Sequence, residues 1–94
     1  MPLETIPFDA ATYIDTPESQ AELLSDAFDS GDAGYIANAL GVVARARGMT
    51  GIAKEAGVTR EALYKALSDR GDPRLSTLLG VMKALHIKLS ATAG

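Results

Sequence analysis

The sequence predicts an all-α protein, a compact five-helix bundle with a short strand at its end, on three observations. Apolar residues recur at helical spacing in successive segments, and each segment is bounded by residues that start or stop helices. The stretch Thr50 to Ser68 has the spacing of two short helices packed across one tight turn, a helix-turn-helix signature. The apolar content is 47% but only 5% is aromatic and tryptophan is absent, so the core must be aliphatic.

Residues 1–15 read as an extended amino-terminal segment, because Pro2 and Pro7 exclude a regular helix while Thr5-Ile6 and Phe8 suit a short strand or packing anchors. Two acidic helices then fill residues 16–47. Thr16 is the N-cap of the first and Pro17 takes its tolerated first position; Leu23, Leu24, Ala27 and Phe28 form its apolar stripe, and Gly31 ends it. Asp32 caps the second, whose inner face is Ile36, Ala39, Leu40, Val43 and Ala44, and Gly48 closes it after Arg45 and Arg47. Those two bases suit the negative end of the helix dipole and are close enough to the next motif to touch a nucleic-acid backbone.

The helix-turn-helix pair occupies residues 49–68. Thr50 is read as the N-cap of its first helix, Ala53 suits the tight crossing, and Gly57 falls where that helix must stop, in a left-handed position that costs glycine nothing. Thr59 caps the second helix and Glu61 complements its dipole. Val58, Leu63 and Ala66, facing Ile52 and Ala56, hold the two together. After the loop Asp69-Arg70-Gly71-Asp72-Pro73, a fifth helix is expected over 72–86 with its N-cap at Asp72 or just beyond, and Leu75, Leu78, Leu79, Met82 and Leu85 are its core-facing stripe. In the tail, 87–94, the alternation of Ile87-Lys88-Leu89-Ser90 suggests a short strand pairing with the amino-terminal segment of its own or another chain.

At 94 residues the chain is expected to be one domain, small enough that a second copy would help it bury a core, so a homodimer is expected. The absence of cysteine excludes disulfides, thiolate metal sites and a cysteine nucleophile together, and fits a reducing cytoplasm. No run approaches a membrane span and the amino terminus lacks the features of a signal peptide, so a cytoplasmic protein is expected. His86, the one histidine, follows Leu85 without ligand neighbours and reads as a turn or surface residue. Ser68, Asp69 and His86 lack the nucleophile elbow or oxyanion glycine loop of a triad. No catalytic set, metal site or cofactor is expected.

The net charge of −3 hides an asymmetry. Residues 1–47 hold eight acids (Glu4, Asp9, Asp15, Glu18, Glu22, Asp26, Asp29, Asp32) against two bases, a balance of −6. Residues 48–94 hold seven bases (Lys54, Arg60, Lys65, Arg70, Arg74, Lys83, Lys88) against four acids, a balance of +3. The second half can meet phosphate; the first would be repelled by it and suits a basic protein partner instead. With Leu63, Ala66 and Leu67 inward, the helical period leaves Arg60, Glu61, Tyr64, Lys65 and Ser68 on or beside the outer face. Arg60 can bond a guanine edge bidentately, Glu61 can accept from cytosine N4, Tyr64 and Lys65 can reach phosphate or a base, and Thr59 can bond a phosphate at the helix start. The partner expected from these types is the major groove of double-stranded DNA.

The segment from Ala44 to Leu89 resembles the Cro/C1-type, lambda-repressor-like helix-turn-helix domain. Nearly the whole chain resembles the HigA-like probable addiction module antidote antitoxins. The second resemblance is carried by Pro7-Phe8-Asp9-Ala10-Ala11-Thr12-Tyr13-Ile14, by the run from Ile36 to Thr50, and by the run from Thr59 to Ser68. It implies a bacterial type II antitoxin that neutralises a small, basic, RelE-like ribonuclease toxin and represses its own operon. By position, the DNA-reading residues would be Thr59, Arg60, Glu61, Tyr64 and Lys65, with Thr50, Lys54 and Ser68 as backbone contacts. Gly51 departs from the pattern, since many relatives of the broader class place there a glutamine that reaches DNA. Two other readings share these residues: a free-standing transcriptional regulator without a toxin, and an interaction module in which the two-helix unit is only scaffold.

Overall fold

The computed structural model describes residues 15–93. Five helices follow one another: α1 (Pro17–Ser30), α2 (Ala33–Arg47), α3 (Met49–Ala56), α4 (Arg60–Ala66) and α5 (Leu75–Ala84). Local chemistry explains most boundaries. The Thr16 hydroxyl accepts from the Ser19 N–H at 3.1 Å while the Thr16 N–H donates back to the Ser19 hydroxyl at 3.3 Å, a reciprocal cap built from two small side chains. At the start of α2, one carboxylate oxygen of Asp32 accepts from the N–H groups of Gly34 (2.9 Å) and Tyr35 (3.2 Å). The Thr59 hydroxyl accepts from Ala62 N–H at 3.0 Å and opens α4.

Several expectations give way. Thr50 is not a cap: Gly48, at φ 108°, ends α2 and begins α3 in a single residue, and its carbonyl already accepts the Ile52 N–H at 3.2 Å. Thr50 therefore lies within the first turn. The fifth helix begins at Leu75 rather than Asp72, because a residue before proline is driven out of the helical region and Arg74 is still extended at ψ 154°. It ends at Ala84. The tail forms no strand, and the described residues contain none. Ile87 is packed half-buried on the core while Lys88 and Leu89 are exposed, so alternation here marks an extended strap lying on helices and not a paired ladder. The expected partner in residues 1–14 lies outside the described residues.

The core draws on every helix: Leu24 and Ala27, Leu40 and Val43, Ile52 and Ala53, Leu63, and Val81 and Met82, with Leu67 and Leu85 just past the ends of α4 and α5. Leu78 is partly buried against it, whereas Leu75 and Leu79 are 66% and 49% exposed and leave the stripe expected of them; Val81 takes the inner position. His86 is exposed in the turn after α5 at φ 58°, where its N–H donates to Lys83 O and that of Ile87 to Met82 O, closing the helix with a left-handed residue.

Two contacts without side chains set the position of α4. A Cβ added at Gly41 would run into the backbone carbonyl of Leu67, and one at Gly34 would come within 2.9 Å of the carbonyl of Asp69. The two glycines lie two turns apart on α2, so the chain leaving α4 is seated directly on the backbone of α2. On the other side, Gly80 of α5 packs closely on Ala56 of α3, where a built Cβ would lie 3.3 Å from the Ala56 Cα and the neighbour would have to give by a few tenths of an ångström.

Across α1 and α2 the Tyr35 hydroxyl donates to the Asp26 carboxylate at 2.6 Å. That acceptor holds the phenolic proton and raises the Tyr35 pKa above 10.0, with desolvation and the carboxylate's charge adding to it. Because the folded pKa is raised, the contact contributes fully below the ordinary tyrosine value and is lost as pH rises through the higher one. In an ultraviolet titration Tyr35 is expected to ionise later than free tyrosine, and Asp26→Ala should bring it back toward the ordinary value, leaving only the part due to desolvation. A Tyr35 titration unmoved by that substitution would remove the carboxylate as cause.

Candidate nucleic-acid interface

Fixing Leu63 and Leu67 in the core turns the opposite side of α4 outward, and Arg60, Glu61, Tyr64 and Lys65 are all exposed. The turn that allows this runs through Gly57 at φ 77°, where the Gly57 N–H donates to Lys54 O at 3.2 Å and the Val58 N–H to Ala53 O at 3.0 Å. Nothing lies within 4 Å of a Cβ built at Gly57, so the requirement for glycine is one of backbone conformation alone.

Arg60 does not extend freely from α4. Its guanidinium carbon sits 5.4 Å from the centre of the Tyr64 ring one turn on, with a terminal nitrogen 3.4 Å from the phenolic oxygen. The Tyr64 hydroxyl raises the Arg60 pKa above an already high value, so the group is cationic at every accessible pH. This pair forms one wall of a groove of about 440 Å³, whose other lining residues are Arg45, Arg47, Gly48, Met49, Thr50 and Gly51. Three arginines and no acidic residue line it. The start of α3 adds the N–H groups of its first turn, which no side chain caps. The combination suits the anionic oxygens of a phosphate chain.

Arg47 is fixed from behind. Its Nε–H donates at 2.7 Å to the side-chain carbonyl of Gln20, which is only 2% exposed on α1.

Of the residues expected at a DNA site, Thr50, Arg60 and Tyr64 come together in the groove. Glu61 and Lys65 share the exposed side of α4 but lie outside the groove lining, and Lys54 is exposed on α3. Thr59 is exposed at the entry to α4 with its oxygen engaged as a cap. Ser68, at the far end of α4, is half-buried and donates to the carbonyl of Lys65 at 3.0 Å, a local bond. The sequence already puts Arg45 and Arg47 within reach of a nucleic-acid backbone, but helix-dipole complementarity accounts for them equally well, so it does not single them out as site residues. The signal was their proximity to the turn: both lie within five residues of Thr50. At Gly51 a Cβ would meet nothing within 4 Å, so the groove is open at that position.

Among the described residues, no group of three or more His, Asp or Glu side chains is placed to hold a metal ion, and no helix is long and apolar enough to cross a membrane. Fold and site together define a small protein, helical in all the regular elements among its described residues, that offers an arginine-lined groove beside an exposed short helix. Residues 4–93 match the model of the family described as "Probable addiction module antidote protein", and the chain belongs to that family. It is 42% identical over 81 residues, 86% of its own length and 84% of the other's, to a protein of Haemophilus influenzae strain Rd described only as uncharacterized. No solved structure matches. Membership supports an antitoxin role and implies a toxin partner.

Proposed function

We propose that this protein is the antitoxin of a type II toxin–antitoxin module and binds the operator of its own operon through α4. The observation that carries the DNA part is the groove itself: Arg45 and Arg47 with the uncapped start of α3 form a phosphate-binding edge, beside which the exposed side of α4, led by Arg60, is free to enter the major groove. Thr50 and Lys54 lie on the backbone-contacting side, and Thr59, Arg60, Glu61, Tyr64 and Lys65 read or flank the bases. Ser68 stands at the far end as a further backbone contact. A homodimer presents two copies of α4 about 34 Å apart, or a multiple of it, to a palindromic site. The acidic surface of α1, with Glu18, Glu22, Asp26 and Asp29 exposed, receives a basic RelE-like ribonuclease toxin and speeds its association.

Two measurements test this on the full chain. Co-expression with the adjacent reading frame is expected to yield a complex with a small basic protein, and the purified antitoxin is expected to retard DNA carrying its own promoter. Retardation without a copurifying toxin transfers the protein to the class of free-standing regulators. Copurification without any DNA affinity reduces the α3–α4 unit to a scaffold.

A further inference from the structure

We infer that Gln20 is a positioning residue for nucleic-acid binding, acting through Arg47; the inference rests on the DNA-binding reading given above. Gln20 is the one polar side chain buried among the described residues, and it lies on the inner side of α1 with Leu24 and Ala27. An amide placed there is costly unless a strong donor meets it. The donor is the Nε–H of Arg47, and at 2.7 Å from the amide oxygen this is a short, charge-assisted bond spanning α1 and the last turn of α2.

The choice of nitrogen matters. Nε carries a single N–H on the inner edge of the guanidinium, so spending it on Gln20 fixes the plane of the fork and keeps the two terminal nitrogens for another acceptor. Arg47 lines the basic groove with Arg45 and Arg60 and also a hollow against Pro17, Glu18 and Ala21 of α1, so it stands between the two, and with Nε held by Gln20 its terminal nitrogens are the ones left to meet a phosphate at the groove. Arg45, two residues earlier in the same groove, has no such acceptor among the described residues. Gln20 thus fixes one guanidinium of the groove before any ligand arrives, and the ordering of that side chain need not be done again on binding. The same bond joins the acidic helix to the arginine groove.

The test uses Gln20→Met, which keeps length and helix propensity but removes the acceptor, with Arg47→Ala and the double variant, each titrated with promoter DNA by fluorescence anisotropy. Gln20→Met is expected to weaken binding about 2–10-fold, the range for freeing one long side chain. Combined with Arg47→Ala it should cause no further loss of DNA affinity, because the amide acts on the groove through Arg47. Unchanged binding by Gln20→Met, or losses that multiply in the double variant, would overturn the inference and assign Gln20 to packing alone. Should Gln20→Met not fold, nitrogen-15 relaxation of the arginine Nε–H groups in the wild-type protein decides. An Arg47 signal more ordered than that of Arg45 is expected, and equal mobility overturns the inference. Arg60→Ala separates the two levels: if it weakens binding while Gln20→Met does not, the DNA reading stands and only Gln20 loses its role, whereas a wild-type protein that ignores DNA removes both.

Discussion

Gly41→Ala is expected to destabilise the fold by about 1–3 kcal/mol and to lower the melting temperature by roughly 10 °C, although alanine is the better helix former. In an ordinary exposed helix position the same change would stabilise by about 0.5–1 kcal/mol. The sign reverses here because the new methyl group would occupy the space of the Leu67 carbonyl oxygen, and that neighbour is backbone, not the mobile end of a side chain. Either α2 moves outward or the end of α4 is lifted from it, and both separate Leu67 from a core in which it is 2% exposed. Gly51→Ala is the control, since a Cβ there meets nothing within 4 Å and φ is not left-handed; it should raise stability. Thermal unfolding of the two variants beside the parent checks the pair. A Gly41→Ala protein as stable as Gly51→Ala would mean that α4 is not seated on α2 in solution.

That contrast also explains what the sequence did and did not disclose. Thr16, Asp32, Gly31, Gly57 and Thr59 were legible because each acts through its own backbone neighbourhood: a cap or a left-handed residue needs nothing from elsewhere in the chain. Thr50 was misread because a hydroxyl before an apolar run is a cap signal, yet Gly48 had already made the turn. The tail was misread because an apolar residue packed under a strap alternates with exposed neighbours just as it would in a strand. Gly34 and Gly41 could not be read at all; within a helix a glycine looks like a weakness until the partner backbone, more than twenty residues away in sequence, is in place. The candidate site divides in the same way. The exposed side of α4 followed from periodicity, whereas the groove needed α2, α3 and α4 to be brought together, and the bond from Arg47 to Gln20 spans 27 residues.

Replacing Arg60 by alanine is expected to reduce operator affinity about 5–150-fold, which corresponds to about 1–3 kcal/mol, and to relax preference at one base position. Stacking over Tyr64 at 5.4 Å from the ring centre limits where its guanidinium can go, so a bidentate contact to a guanine edge needs little further ordering. Arg45 and Arg47 answer to a different physics. They belong to the end of α2, behind the exposed side of α4, and should meet phosphate; losing both is expected to lower the slope of log affinity against log salt by about 1.8, at about 0.9 per phosphate contact. Operator and random DNA should weaken alike in that double variant. The two signatures are independent, because a base contact changes the ratio of specific to random binding at fixed salt, and a phosphate contact changes the salt response at fixed ratio. Titrations of the parent, Arg60→Ala and the Arg45→Ala/Arg47→Ala variant on both DNAs over a range of salt resolve them. If Arg60→Ala loses equally on operator and random DNA, Arg60 is a third phosphate contact of the same groove, and base reading must be sought at Glu61, Tyr64 and Lys65.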